Sequence, residues 1–393
     1  MLKYWIWLAE LPGLTNQDRL VLLRHFGTPE NAFYADAGDV LLTEEDRSFN
    51  LRPLADKSLA NAERILADCG RLGVRVLTIQ DVEYPERLRN IYSPPLLLYV
   101  QGLLPQVDEE AVVAVVGTRK CTPYGETCGE RFGYGLARAG VVVVSGLARG
   151  VDTAAARGAL RGGGATIGVL GCGLDVVYPL ENVCLYQDVA AAGALVSEYP
   201  PGTRPEGNHF PARNRIMAGL SVGVLVVEAP LRSGALITGD LALDNGRDLF
   251  VIPGPIDAPT SIGSNHLLLE GGAAVLEPAD IVGHYTERFP GKLRKSASRA
   301  VPEPLGPQPQ RARMEPPRPV PPKPQLPDEG TLPEDQMDLL RLLVKGPRST
   351  DELMLESGLP PQTVLTALTL LKLGGYVDQE GERWRARARE DAR

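Results

Sequence analysis

The chain has 393 residues, of which 44% are hydrophobic and 23% are charged, close to ordinary globular usage. Collagen-like, fully disordered and coiled-coil architectures are therefore excluded for most of the chain, and the length predicts two or three domains. The formal net charge of −8 disfavours a general attraction to nucleic acid. Any anion would have to be bound by a local cluster of cations.

Five cysteines without a CxxC pair, together with only four histidines, argue against a disulfide framework and against a metal site. We therefore expect a reduced, cytoplasmic protein. The N-terminal segment is apolar but has no cleavage site of small residues, so no signal peptide is predicted. Apolar runs such as 222–227 fall far short of about 18 residues, and we expect no membrane span.

Residues 1–75 are predicted to form an all-α domain. Trp5–Leu11, Asn16–Phe26 and Pro29–Ala37 have apolar spacing near 3.6 residues, and a tight turn at Leu11–Leu14 joins the first two. The pattern fits a helical domain of the sterile-alpha-motif or helix-hairpin-helix kind. It fits a purely structural cap equally well, and both interpretations stay open.

Residues 77–283 alternate short Val/Ile/Leu runs with helical stretches, which predicts a doubly wound, mostly parallel, Rossmann-like α/β sheet. The predicted strands are Leu96–Val100, Val112–Val116, Val141–Ser145, Ala165–Leu170, Ala194–Ser197, Val222–Val227 and Leu249–Ile252. The predicted helices are Tyr124–Ala139, Asp152–Arg161, Glu181–Ala192, Ala212–Gly219 and Ala235–Asn245.

A proline-rich, basic linker is predicted over residues 284–330, since 11 of the 34 prolines lie in 301–330. Beyond it, residues 331–386 have the order of a winged-helix domain. Three helices are predicted there (Glu334–Leu343, Thr350–Ser357 and Pro361–Leu371), followed by a hairpin around Glu380-Gly381.

Three strand ends of the predicted sheet combine glycine with a hydroxyl group. Glycine lets the backbone approach an anion, and the hydroxyl and the free N–H groups at a helix start can bind its oxygens. The three turns therefore predict a phosphate-binding cleft. Its candidate residues are Gly117, Thr118, Arg119 and Lys120, then Ser145, Gly146, Arg149 and Gly150, then Arg232, Ser233, Gly234 and Thr238.

A further candidate segment, 207–216, carries two arginines on either side of an asparagine. Guanidinium groups and an amide suit phosphate oxygens or a nucleobase, and the alternative is a pair of surface salt bridges. The candidate residues are Asn208, Phe210, Arg213, Asn214 and Arg215. Glu228 is either an acid–base group or an anchor for these arginines, and we favour the anchor. His209 is interpreted as an ordinary loop histidine.

No nucleotide cofactor is expected. The GxGxxG fingerprint is absent after the first strands, because Gly171-Cys172-Gly173 is followed by Val176 where the third glycine would stand. There is no GxxxxGK[ST] motif either, which argues against a P-loop ATPase. We assign no catalytic residue, no metal ligand and no cofactor.

Seven ordered motifs in residues 77–283 resemble the DNA processing protein A (DprA) family. They are VGTRKCTPYG, SGLARGVDTAAARGAL, GCGLDVVYP, SEYPPGT, FPARNRIMAGLS, VVEAPLRSGALIT and VIPG. The resemblance implies single-stranded DNA binding, a homodimer, and loading of the recombinase RecA during natural transformation, without enzymatic activity. It also implies flanking helical and winged-helix domains. Ala156 and Ala212 depart from the His and Arg that the family often has there.

The residues themselves support the same function. Non-specific single-strand binding needs a cationic groove with stacking surfaces, and Phe210 is the predicted stacking residue beside the arginines and Lys120. Ile262, Leu267 and Leu269 form an apolar segment that we assign to the dimer interface. The third helix of the winged-helix domain has no cation before Lys372, so protein contact is favoured there over duplex reading.

Two enzyme functions are alternatives to DNA binding. Rossmann-like enzymes of the lonely-guy, lysine-decarboxylase-like group hydrolyse nucleoside monophosphates and carry a Pro-Gly-Gly-x-Gly-Thr loop. The corresponding stretch here, 231–238, lacks that loop. An NAD-dependent oxidoreductase is disfavoured by the missing fingerprint.

Overall fold

The computed structural model describes residues 1–35, 52–294, 331–380 and 383–386. It divides into two compact units, Met1–Pro304 and Leu305–Arg393, which are treated separately below. Ala37, the predicted linker from residue 295 onwards and Gly381 lie outside the described residues. The domain boundaries predicted from the sequence stay predictions.

The first unit begins with helices α1 (Leu2–Glu10), α2 (Asn16–Phe26), α3 (Pro29–Tyr34) and α4 (Ala60–Leu72). Thr15 and Asp18 form a capping box at the start of α2, in which each side chain binds the other residue's backbone N–H. The apolar faces of these helices join the same hydrophobic core as the sheet that follows. The sequence did not predict α4.

The central sheet has the order β1-β2-β6-β5-β4-β3-β7-β8-β9. Its strands are β1 (Arg75–Thr78), β2 (Leu97–Gly102), β3 (Val112–Val116), β4 (Val142–Ser145), β5 (Thr166–Leu170), β6 (Ala194–Ser197), β7 (Gly223–Val226), β8 (Asp248–Val251) and β9 (Ala273–Ala274). Strands β3 to β9 are parallel, whereas β1 and β2 are antiparallel to their neighbours. The predicted mostly parallel sheet is confirmed, and β2 is its antiparallel exception.

Helices cover both faces of this sheet, which leaves two separate hydrophobic clusters, one on each side. They are α5 (Glu86–Arg89), α6 (Pro123–Arg138), α7 (Val151–Arg161), α8 (Val183–Ala192), α9 (His209–Leu220), α10 (Gly234–Asp244), α11 (Ile262–Leu269) and α12 (Pro278–Tyr285). Strand β3 is buried along its whole length, as expected of a central parallel strand. The carboxyl ends of β3, β4, β5 and β7 meet at one edge of the sheet, where ligands bind in such folds.

The second unit contains α13 (Glu334–Lys345), α14 (Thr350–Ser357), α15 (Pro361–Leu373) and a small sheet. That sheet has the order β10-β12-β11, formed by β10 (Arg348–Ser349), β11 (Val377–Glu380) and β12 (Arg383–Ala386). Three helices followed by a hairpin confirm the predicted winged helix. Across both units, no helix in the described ranges is long and apolar enough to cross a bilayer.

Helices α6 and α7 pack so closely that a glycine is required between them. A Cβ atom on Gly133 would lie 2.1 Å from the carbonyl oxygen of Ala155. We expect Gly133→Ala to lower the free energy of unfolding by about 1–3 kcal/mol, because the helices would have to move apart. Urea denaturation followed by circular dichroism measures this loss.

Gly70→Ala is the matched control, since Gly70 also lies in a helix but its Cβ would meet no atom within 4 Å. This change should leave stability unaltered or raise it slightly, because alanine favours helix. Equal destabilisation by both substitutions would contradict the packing argument.

Candidate nucleic-acid interface

A cleft of about 730 Å³ lies at the carboxyl edge of the sheet. It brings together most of the residues predicted from the three turns and from the 207–216 segment. The predicted residues that line it are Gly117, Thr118, Arg119, Lys120, Phe210, Arg213, Asn214, Arg232, Ser233, Gly234 and Thr238. Gly146 and Arg149 border a shallow extension that shares Arg119 and Phe210 with the cleft.

The first turn, Gly117–Lys120, leaves β3 and directs two exposed cations toward solvent. The Thr118 N–H donates to the Glu228 carbonyl at 2.7 Å, and the Lys120 N–H donates to the Thr118 hydroxyl at 3.3 Å. A Cβ on Gly117 would lie 2.5 Å from a Val151 methyl carbon. The glycine is therefore needed for the loop to pack on the start of α7.

The second turn is not the open phosphate cradle that the sequence predicts. The Ser145 hydroxyl is fully buried, donates to the Asp152 carbonyl at 2.9 Å and accepts from the Leu147 N–H at 3.2 Å. The backbone N–H groups of Gly146 and Ala148 bind the Asp152 carboxylate. These groups are already satisfied within the protein, so Ser145 shapes the loop and does not face a ligand.

Gly150 also has a structural role in this turn. Its φ is +74°, in the region that favours glycine, and a Cβ there would lie 2.4 Å from the Thr118 carbonyl oxygen. Gly150 thus lets the first two turns approach one another and does not line the cleft.

Arg149 is exposed and forms an ion pair with Glu181, with one hydrogen bond of 3.2 Å from Nη2 to Oε2. The two residues are 32 positions apart, and sequence analysis missed the acidic partner. Part of the charge of Arg149 is therefore offset before any ligand binds.

The third turn leads into α10. The Ser233 hydroxyl accepts from the Ala235 N–H at 3.3 Å, which caps the helix, while Gly234 is exposed with open space around it. Thr238 is buried one turn later, and its hydroxyl lies 3.5 Å from the Gly234 carbonyl. Arg232 is exposed immediately before the cap. This helix start is open to an anion, unlike the start of α7.

Arg213 and Asp152 form the floor of the cleft and are 4% and 6% exposed. An Arg213 Nη1 N–H donates to the Val169 carbonyl, while its Nε has no hydrogen-bond partner among the described residues. Burial raises the pKa of Asp152 to about 6, and the nearby Arg213 guanidinium opposes that shift. From the sequence, Asp152 is predicted only as the first residue of a helix, and it is not among the candidate site residues.

The raised pKa of Asp152 predicts a pH-dependent stability. The folded chain holds the Asp152 proton up to about pH 6, whereas the unfolded chain releases it near pH 4. The contribution of this group to the free energy of unfolding should therefore rise as pH falls from about 6 to about 4, by roughly 2–3 kcal/mol.

Asp152→Asn removes this titration, so the difference in unfolding free energy between the two proteins should change across that pH window. Urea denaturation at a series of pH values measures it. A difference that stays constant from pH 7 to pH 4 would contradict the assignment.

Phe210 does not offer a free ring to a ligand. The guanidinium carbon of Arg119 lies 4.8 Å from the Phe210 ring centroid, and the Tyr178 ring centroid lies 5.6 Å from it. A Cβ on Gly171 would come within 3.1 Å of the ring edge. The stacking surface is therefore a layered Arg119–Phe210 pair beside Tyr178, a residue that sequence analysis did not select.

Helix α9 separates two different environments. Arg213 and Asn214 face the cleft, and Asn214 donates to the Gly234 carbonyl at 3.2 Å. Arg215 instead lines a second cavity of about 630 Å³ and binds both carboxylate oxygens of Glu198, at 2.6 and 2.8 Å. The salt-bridge alternative is therefore right for Arg215. Asn208 is exposed just before the helix.

Glu228 does not anchor the arginines, so that prediction is wrong. Its carboxylate is buried and accepts from the backbone N–H and the hydroxyl of Thr122, at 2.9 and 3.0 Å. It thereby fixes the start of α6, which follows the Arg119–Lys120 turn.

The three residues predicted for a dimer interface differ in exposure. Leu269 is 84% exposed and Ile262 is half-buried, but Leu267 is only 2% exposed because it packs into the core of its own subunit. Leu267 cannot contact a second subunit, and we remove it from the predicted interface.

The family model for DNA recombination-mediator protein A matches residues 75–286, and the DprA winged helix domain model matches residues 318–382. The chain belongs to the DprA family. The DNA processing protein DprA of Streptococcus pneumoniae is 46% identical over 292 residues, which cover 72% of this chain and 98% of that relative. A relative from Mycobacterium tuberculosis that is named for DNA processing is 35% identical over 98% of this chain and 94% of its own length.

Solved structures of DprA proteins share the fold. The crystal structure of Streptococcus pneumoniae DprA superposes with a TM-score of 0.64 at 37% identity, covering 72% of this chain and 98% of that one. The Helicobacter pylori DprA structure, described for its single-stranded DNA binding mode, has a TM-score of 0.50 at 31% identity and covers 55% and 97%. These relatives are named for DNA processing and, in the second case, for single-stranded DNA binding.

Proposed function

We propose that this DprA-family chain binds single-stranded DNA in the cleft at the carboxyl edge of its sheet. One observation carries the proposal: four cationic side chains line the cleft against one carboxylate, in a chain whose formal net charge is −8. The cations are Arg119, Lys120, Arg213 and Arg232, and the carboxylate is Asp152. Local charge of this kind attracts a phosphate backbone.

The geometry supports different roles for different residues of the cleft. Arg119, Lys120 and Arg232 are exposed and can reach phosphates, and the exposed N-terminus of α10 at Gly234 adds the positive end of the helix dipole. A base can stack on the Arg119–Phe210 pair, since single-strand binders use both guanidinium planes and aromatic rings for this purpose. Buried Arg213 holds the floor in place through Val169.

A salt titration tests this function. Binding of a fluorescent oligothymidylate and of a duplex of equal length is measured by anisotropy at several salt concentrations. We expect tighter binding of the single strand, with a linear decrease of log affinity against log salt. Absence of binding at low salt would overturn the proposal.

We further propose a homodimer formed through the α11 end of the first unit. Leu269 is almost fully exposed there, next to the edge strand β9, whose two residues are exposed as well. Leu269→Glu should convert the dimer into a monomer in light scattering at micromolar concentration, because it places a charge in an apolar contact. The dimer should persist without residues 300–393.

Leu103→Glu is the control, since Leu103 is 79% exposed and follows β2, the strand next to the opposite edge of the sheet. A chain that is monomeric before any substitution, or that stays dimeric with Leu269→Glu, would contradict this assembly.

We also propose that the bound strand is passed to the recombinase RecA during natural transformation, in the cytoplasm. The family description, recombination mediator, supports such a transfer, and the reduced cysteines fit that compartment. In the winged helix, Leu365, Leu370 and Leu373 of α15 are exposed. That apolar surface favours a protein partner over duplex DNA for this domain.

A further inference from the structure

Helices α6 and α7 carry a basic surface that begins at the cleft. Helix α6 starts directly after the Arg119–Lys120 turn and α7 directly after Arg149 and Gly150. Both follow parallel strands, so both run away from the cleft side by side. Their close packing, through Gly133 against Ala155 and Gly158 against Glu130, makes them one continuous surface.

Four arginines lie on this helix pair. Arg131 and Arg138 belong to α6, two helical turns apart, and Arg157 and Arg161 belong to α7, one turn apart. Arg138 and Arg157 are exposed, and Arg131 and Arg161 are half-buried. On the same two helices the carboxylates are Glu126, Glu130 and the buried Asp152 at the cleft.

Most of this positive charge is not neutralised by the protein. Arg161 forms an ion pair with Glu130. Within the described part of the chain, Arg131, Arg138 and Arg157 have no ion-pair partner, in contrast to exposed arginines such as Arg64 and Arg71, which both bind Asp68. Three unpaired arginines on two adjacent helices, in an otherwise acidic protein, fit a polyanion.

We propose that a DNA strand leaving the cleft continues along the α6–α7 surface, bound through phosphate contacts to Arg131, Arg138 and Arg157. The inference rests on the proposed function, since it extends the same strand beyond the cleft. Helix α6 is about 24 Å long, so a strand that follows it can pass both Arg131 and Arg138. The cleft provides base stacking, and the helix pair provides charge alone.

The test compares two oligothymidylates on the full-length chain, one of about 6 nucleotides that fills the cleft and one of about 20 that can reach the helices. The variant is Arg131→Gln, Arg138→Gln and Arg157→Gln combined. Its affinity for the short strand should be unchanged. Its affinity for the long strand should fall about tenfold or more, with a salt slope smaller by up to about 2.

Arg24→Gln, Arg64→Gln and Arg71→Gln combined form the charge-matched control on the N-terminal helices, and this variant should bind both strands like the unmodified chain. Unchanged long-strand binding in the α6–α7 variant, or an equal loss in the control, would overturn the inference. If the unmodified chain does not bind the short strand at all, the proposed function itself is refuted.

Discussion

We expect the combined substitution of Arg119, Lys120 and Arg232 by alanine to lower the affinity for single-stranded DNA by about a hundredfold or more. These three side chains are the exposed cations of the cleft, and a hydrogen bond to a charged group contributes about 1.5–3 kcal/mol. Even about 1 kcal/mol from each gives a hundredfold loss. The salt slope should fall by roughly 0.7 for each phosphate contact removed. Anisotropy titrations at several salt concentrations measure both quantities.

Arg149→Ala provides the internal comparison. Its guanidinium is paired with Glu181, so its loss should cost less than the loss of Arg119, whose guanidinium lies on the Phe210 ring and pairs with no carboxylate among the described residues. If Arg149→Ala lowers the affinity as much as Arg119→Ala, or if the triple variant keeps its salt slope, the phosphates do not bind in the cleft.

Phe210→Ala is expected to narrow the preference for single strands over duplex. The ring supports the Arg119 guanidinium, so its removal takes away the whole stacking platform, at about 1–3 kcal/mol per base. A duplex keeps its bases stacked and uses only the phosphate contacts, so its affinity should change much less. Competition between the two DNA forms at fixed salt measures the effect.

Thr363→Ala on α15 is the control and should leave the preference unchanged, because this helix has Lys372 as its one cation. Should duplex compete as well as single strand against the unmodified chain, the cleft recognises charge alone and the stacking argument fails.

The sequence was sufficient to predict strands β2 to β8 and the location of the cleft, but not the short strands β1 and β9. Central strands that are buried on both faces appear as uninterrupted valine runs, as in Val112–Val116, and the turns after them are recognisable by glycine beside a hydroxyl. Helical periodicity could also have separated Arg213 from Arg215. Two residues apart on a helix are about 200° apart around its axis, so both could not face the same cleft.

Other features depend on contacts between distant positions. Glu228 binds Thr122 across 106 residues and Glu181 binds Arg149 across 32, and neither pairing leaves a local signal. The Asp152 carboxylate occupies the amide groups of its own turn, so a glycine-rich turn after a strand is not by itself an open anion site. Within Ile262–Leu269, the helix turns Leu267 inward and Leu269 outward, although the three leucines are adjacent in sequence.

Helix α9 is hydrogen-bonded to two different parts of the first unit. On one side of the helix, Arg213 donates a hydrogen bond to the Val169 carbonyl of β5. On the other side, Arg215 donates to the Glu198 carboxylate and, at 2.8 Å, to the Ser93 carbonyl. The first residue of α2, Asn16, binds the Ser93 hydroxyl at 2.9 Å. The N-terminal helices are thus connected through Ser93 and α9 to Arg213 at the floor of the cleft.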